Sequence, residues 1–281
     1  MKSLRTDEAR LAAYCSAKGR MQASFTVLRP HSETFWLLTD TAVLPGVAKR
    51  LGMFVLRSKV KVSDARVDVA IVGLLGTAAH DTLASGMADH APMSVWPHAS
   101  GHGHVVRLPD AYGVTRCLWV GPRTAAEEIL NGQPAVQSTH WSWLDVMSGV
   151  AHIEAATVEQ FVPQMVNYEL VGGVNFKKGC YPGQEVVARS QYRGTLKRRT
   201  FLCHGDAPMQ AGQEIYSAAD SAQPGGMVVN AAQIPGTDAY SALVELKIQS
   251  LETPWHIGSP DGPDLRLGTL PYEIPPADAN T

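Results

Sequence analysis

No window of 18 consecutive uncharged apolar residues occurs in this sequence, so the first requirement of a membrane-spanning helix is missing. The opening MKSLRTDEAR has no apolar core of the kind that marks a secretory leader, and the expected compartment is the cytoplasm. Cysteine is scarce and scattered. Cys15, Cys117, Cys180 and Cys203 form no C-x-x-C pair, which excludes a locally written zinc knuckle, cluster-ligating run or thioredoxin motif and leaves four reduced thiols. There is no G-x-G-x-x-G after a strand and no Walker sequence, so a nucleotide dehydrogenase or P-loop enzyme is unsupported. Internal repeats and low-complexity segments are also missing. Charge is sparse at 18% against 45% apolar residues, an ordinary globular composition, and the net charge of −2 argues against a dedicated nucleic-acid binder.

What is present reads as mixed α and β in 281 residues, enough for two domains. Residues 20–39 hold two β-rich runs around a polar turn at 29–33, a hairpin signal. The spacing of Val47, Leu51, Phe54 and Val55 predicts a helix over 45–56, and strands follow at 59–62 and 67–72. A further helix is expected at 80–87. Thr124 with Glu127 three residues on has the capping-box spacing for a helix ending at Asn131-Gly132. Past Arg199 come short β runs at 200–203, 215–216, 227–229 and 242–248, separated by Gly, Pro, Asp and Ser, which suggests a small barrel or sandwich. The shift in texture places a domain boundary near 195–200, giving residues 1–195, 196–275 and a tail at 276–281.

The most distinctive stretch is Lys177-Lys178-Gly179-Cys180-Tyr181-Pro182-Gly183-Gln184-Glu185. Seven Lys/Arg and one carboxylate between 177 and 199 give a net charge of +6, so the rest of the chain carries −8. Cations of this density stabilise the thiolate of Cys180 and raise its reactivity. No histidine lies within 20 residues of Cys180, so a Cys–His hydrolase is not written locally. His98, His102 and His104 invite a metal reading, but their spacing matches no common site, the loop contains Gly101 and Gly103, and a solvated loop is expected. No tightly bound metal is expected. Trp141 and Trp143 could stack on a flat heterocycle, although tryptophans serve more often as core anchors.

The runs Phe161-Val-Pro-Gln-Met-Val-Asn167 and Leu170-Val-Gly-Gly-Val-Asn-Phe-Lys-Lys-Gly-Cys-Tyr-Pro-Gly-Gln-Glu-Val-Val-Ala-Arg189 resemble the YgfZ family of folate-binding proteins. Cys15-Ser-Ala-Lys-Gly-Arg-Met21 and Arg193-Gly-Thr-Leu-Lys-Arg198 support this in the expected order. Relatives of that family include a mitochondrial iron–sulfur assembly factor and, more distantly, the aminomethyltransferase T-protein of glycine cleavage. The resemblance implies an α+β fold, with a T-protein-like folate-binding body and a small C-terminal β-barrel. It implies tetrahydrofolate as ligand, iron–sulfur enzymes or their assembly proteins as partners, and an indirect link to tRNA modification. It further implies that Cys180 is tied to activity and that Trp143 lines the folate site, and Lys178, Tyr181, Gln184, Glu185, Arg189 and Arg193 are expected to contact folate as well. The glutamate tail would meet Lys178, Arg189 and Arg193, where arginines bind carboxylates bidentately.

Two departures qualify the resemblance. Where the T-protein carries a catalytic aspartate beside folate, this chain has Gln22, Ala23 and Ser24, so aminomethyl transfer is not expected. Family members also carry several tens of residues ahead of the segment that begins here at Cys15; that segment is expected to be either lost in this lineage or encoded upstream of an internal Met1, and a truncated chain would have an open strand edge. The alternative readings are a tetrahydrofolate-dependent aminomethyl or one-carbon transferase, and an RNA-binding module using the basic run around Tyr181 and Tyr192.

Overall fold

The structure, a computed structural model, describes residues 3–76, 90–132, 134–175 and 196–275. The chain divides into two compact units that are not contiguous in sequence. One comprises Met1–Arg10 and Thr26–Val136, the other Leu11–Phe25 and Gln137–Thr281. Strands β1 (Ala9–Cys15) and β2 (Met21–His31) have residues in both, and with β3 (Thr34–Leu38) they form a sheet of order β1-β2-β3. The hairpin expected at 20–39 is β2 and β3, antiparallel with Val27 opposite Leu37, and β2 continues through the expected turn as far as His31.

The first unit also contains an antiparallel sheet of order β4-β7-β6-β5, built from β4 (Val69–Leu75), β5 (Val95–Pro97), β6 (His104–Arg107) and β7 (Arg116–Pro122). Successive side chains on a strand face opposite sides, and the sheet uses both. Val72, Val105, Cys117 and Trp119 join Ile129 of helix α2 (Ala126–Leu130) in one core, whereas Val106 and Val120 join Ala9, Leu28 and Val95 in another. Trp119 is fully buried, and its indole N–H donates to the His102 carbonyl at 3.0 Å. Its ring fits because Gly121 has no side chain: a Cβ there would lie 2.5 Å from the ring.

Helix α1 (Leu44–Met53) forms with Pro45 in its first turn, where a missing N–H costs nothing, and it buries only Val47. The helix expected over 45–56 thus stops three residues early. The strand expected at 59–62 does not form. The K-V-K-V alternation suits a strand, but a strand needs a neighbour, and among the described residues β4 pairs only with β7. Thr124 caps no helix, because it lies inside a 3-10 turn (Arg123–Ala125) anchored by the Arg123 N–H donating to the Asp68 carbonyl at 2.7 Å. The end at Asn131-Gly132 is as expected, with Gly132 at φ 73°. The helix expected at 80–87 lies outside the described residues.

In the second unit six strands close into a barrel of order β10-β11-β8-β13-β12-β9: β8 (Arg198–Gly205), β9 (Glu214–Ser217), β10 (Gly226–Gln233), β11 (Tyr240–Lys247), β12 (Trp255–Ile257) and β13 (Asp264–Leu267). Closure removes the open sheet edges that an unclosed sheet would expose. Ala242, Val244 and Leu246 of β11 fill the interior with Cys203, Ile215 and Trp255. The alternate residues Leu202 and Leu243 face a second core with Met21, Val146, Ile153, Phe161 and Tyr168. Alternation along β10 puts Val228 inside the barrel and Val229 in the second cluster, and the register shifts by a bulge between Val228 and Asn230. Asn230 then bonds the backbone of His152 as both acceptor and donor, each at 2.8 Å, tying barrel to loop.

No helix among the described residues is long and apolar enough to cross a membrane.

Candidate functional site

Of the residues expected to contact folate, Trp143 has a described place. It sits on helix α3 (Ser138–Met147), half-buried against the core that contains Met21, Val146 and Phe161. Its indole N–H donates to Ser241 Oγ at 3.1 Å, and Ser241 Oγ lies 3.0 Å from His204 Nδ1. Ser241 is fully buried on β11 and His204 is on β8. Burial, helped by the Arg266 guanidinium, holds the His204 pKa below its ordinary value, which favours the neutral ring. A neutral His204 can accept at Nδ1 the proton that the Ser241 hydroxyl donates, leaving Ser241 to accept from Trp143. The indole is therefore fixed in orientation by two barrel residues. Ser241 and His204 escaped the sequence reading, since a serine inside an apolar strand carries no signal of its partner on the adjacent strand or on a helix.

The start of β2 contributes to the same core through Met21. Met21 donates its N–H to the Phe161 carbonyl, and Glu159 donates its N–H to the Met21 carbonyl, both at 2.8 Å. Arg20 reaches the Glu159 carbonyl at 3.3 Å and also bonds the Gln160 carbonyl. Gln22 Nε2 donates to Glu159 Oε1 at 2.8 Å, while Gln22 Oε1 is buried with no hydrogen-bond partner among the described residues. The segment 22–24 carries no ionisable group, yet the fold brings the Glu159 carboxylate against it. Glu159 holds this position from φ 60°, a left-handed conformation unusual outside glycine. Ser24 Oγ accepts the Ile153 N–H at 2.9 Å and is also a hydrogen-bond partner of the buried Tyr168, so its hydroxyl is committed to structure.

Lys178, Cys180, Tyr181, Gln184, Glu185, Arg189 and Arg193 lie outside the described residues. The flank of the motif is described: Arg199, buried, donates to the carbonyl of Gln164 at 3.0 Å, to Asn167 Oδ1 at 3.3 Å and to the Glu169 carboxylate. Asn167 adopts φ 56° and donates to the Thr200 carbonyl at 2.7 Å. One cation of the basic stretch is thus spent inside the protein. Arg198 is a second, paired with the buried Glu245 at 2.6 Å.

The histidine loop is exposed at 99–102, as expected, but two of its histidines are packed. His98 is buried with Nδ1 2.8 Å from Ser100 Oγ, His104 lies edge-on to Trp36 and His31, and only His102 is exposed. The tight approach of Gly103 to Trp119 holds that end of the loop against the sheet. No group of three or more ligating side chains suited to a metal occurs among the described residues.

No family model matches the chain. It is similar along nearly its whole length to the tRNA-modifying protein YgfZ of Sodalis glossinidius, 29% identical over 279 residues that cover 97% of this chain and 84% of that one. The protein of the same name from Escherichia coli is 28% identical over 277 residues, covering 95% and 83%. The one from Photobacterium profundum is 33% identical over 206 residues, covering 69% and 58%. Among solved structures, the glycine cleavage system aminomethyltransferase T from Bartonella henselae superimposes with a TM-score of 0.72 at 14% identity, over 96% of this chain and 77% of that one. The resemblance to YgfZ read from the cysteine motif is borne out, and so is the aminomethyltransferase-like α+β fold with its C-terminal barrel.

Proposed function

We propose that this chain is a tetrahydrofolate-binding accessory protein of the YgfZ type, serving iron–sulfur enzymes or their assembly proteins and, through them, tRNA modification. The observation that carries this reading is the near-full-length similarity to proteins named as tRNA-modifying YgfZ, together with a half-buried indole fixed in orientation where that resemblance expects folate.

The described residues suit a reduced pterin. Its edge presents N–H donors, and this unit holds two acceptors suited to them, the buried and unpartnered Gln22 Oε1 and the Glu159 carboxylate. An orphaned buried carbonyl costs about 1–3 kcal/mol, so a ligand donor that satisfied it would recover part of that penalty. Trp143 would offer an apolar face, and the cationic stretch at 177–199 suits a tail of carboxylates. Bound tetrahydrofolate would supply one-carbon chemistry. The chain's own part is to hold and orient the pterin, with Cys180 as the thiol that meets a partner. Gln22 has no proton to exchange near neutral pH, and Glu159 is engaged by the Gln22 amide, which supports an accessory role over aminomethyl transfer.

Titration with tetrahydrofolate, followed by tryptophan fluorescence, tests the binding. Quenching is expected in the wild type, reduced affinity in Gln22→Leu, and loss of the quenched component in Trp143→Phe. Absence of quenching in the wild type would overturn the folate reading. Cys180→Ala should bind folate normally yet fail to restore iron–sulfur enzyme activity in a deletion strain, and full restoration would remove Cys180 from the proposal.

A further inference from the structure

We propose that residues 49–66, in the first unit, form a binding surface for single-stranded or looped RNA. This goes beyond the folate reading and does not depend on it. The segment carries six Lys/Arg and one carboxylate, a net of +5. Asp64 is taken by Arg66 at 2.7 Å. The other five cations, Lys49, Arg50, Arg57, Lys59 and Lys61, are exposed and form no ion pair among the described residues. Interleaved with them are apolar side chains that a folded protein ordinarily hides: Met53 is 68% exposed, Phe54 66% and Leu56 85%.

Charge complementarity selects the occupant. With the +5 of this segment and the +6 of residues 177–199 set aside, the remaining chain sums to −13, since the whole carries −2. A polyanion is repelled by most of this protein and drawn to two places, of which this is the described one. The arrangement also distinguishes RNA from a lipid surface. An interfacial element needs a continuous apolar face, but here α1 turns Val47 inward and the exposed Val60 and Val62 alternate with Lys59 and Lys61. Cations flanking one exposed aromatic residue along the chain suit a phosphate chain whose bases offer flat faces for stacking. Phe54 is the stacking platform, and Lys59 and Lys61 are phosphate contacts.

The test uses the full chain, with fluorescence anisotropy of a bacterial tRNA mixture and of a short unstructured oligoribonucleotide across a salt series. The wild type should bind both, weakening steeply with salt. Lys59→Ala with Lys61→Ala should reduce the slope of log affinity against log salt by about 1.4–1.8, on the order of 0.7–0.9 for each phosphate contact removed. Phe54→Ala should lower affinity about tenfold and leave the slope unchanged. A control that removes two cations elsewhere, Arg5→Ala with Arg10→Ala, should leave the slope as in the wild type. All the altered side chains are on the surface, so melting temperatures should hold, and binding is compared at a temperature where every variant is folded. Unchanged affinity and slope in the lysine variant, equal losses in the control, or binding to phosphatidylcholine–phosphatidylglycerol vesicles without binding to RNA would each overturn the proposal. Tetrahydrofolate quenching should be the same in all these variants, so failure here leaves the folate reading standing.

Discussion

Arg199→Met should be one of the most damaging single substitutions outside the barrel interior, and its cost should depend on pH. The Arg199 and Glu169 side chains are only 5% and 6% exposed. Removing one partner of a buried ion pair costs about 3–5 kcal/mol, because the other charge stays behind without compensation. Two neutral acceptors, the Gln164 carbonyl and Asn167 Oδ1, lose their donor as well, and Glu169 Oε2 already lacks a partner among the described residues. Burial raises the pKa of Glu169 above the ordinary glutamate range, and Arg199 is the group that opposes this rise. Without Arg199 the folded-state pKa climbs further. The folded variant then binds a proton more tightly than the unfolded chain, so its stability falls as pH rises from the ordinary glutamate value through the folded one. Urea unfolding at a series of pH values should show a small deficit near pH 4.5 and the full deficit at pH 7. The double variant Arg199→Met with Glu169→Leu should recover most of the loss. A deficit under about 1 kcal/mol at pH 7, a deficit independent of pH, or a double variant less stable than the single would refute the reasoning.

Gly226→Ala should destabilise the barrel by about 1–3 kcal/mol in thermal unfolding, since its Cβ would fall 2.4 Å from the Glu245 carbonyl oxygen and 2.6 Å from a Leu246 methyl. Gly46→Ala, in α1 with nothing within 4 Å, should instead stabilise by about 0.5–1 kcal/mol. Burial pushes the Cys117 thiol up to about 12 and raises that of Cys203 also. Iodoacetamide at pH 8 should therefore leave both unmodified in the native protein and label them after denaturation, as mass mapping would reveal. His104, depressed by burial and by neighbouring His31, should titrate below the ordinary histidine value in an NMR pH series. Because the unfolded chain takes that proton more readily, the contribution of His104 to stability is complete above about pH 6.5 and is lost as pH falls through its depressed pKa. His104→Asn should flatten that part of the profile.

Part of this architecture was legible because it depends on local pattern. The β2–β3 hairpin, α1 and the end of α2 follow from alternation, helical spacing and an Asn-Gly stop. The barrel showed itself through short β runs between turn residues, although β12 and β13, at three and four residues, went unmarked. The failures were equally local. Residues 59–62 alternate like a strand but find no partner among the described residues, and Thr124 has capping chemistry but lies inside a turn set by Arg123 and Asp68. At the site, an aromatic at position 143 could be suspected of either packing or stacking, and the sequence had no means of choosing.

The order of residues alone determined the YgfZ resemblance, the mixed α and β texture with a β-rich C-terminal part, and the concentration of positive charge around Cys180, because motif, periodicity and charge are properties of neighbours along the chain. Only the tertiary structure decided that Ser241 and His204 orient Trp143 and that Glu159 supplies a carboxylate beside Gln22. It alone spent Arg198 and Arg199 on buried glutamates and left Lys59 and Lys61 in solvent. Those outcomes depend on pairs of groups up to 137 residues apart, whose hydrogen bonds and desolvation costs exist only once the two units have folded.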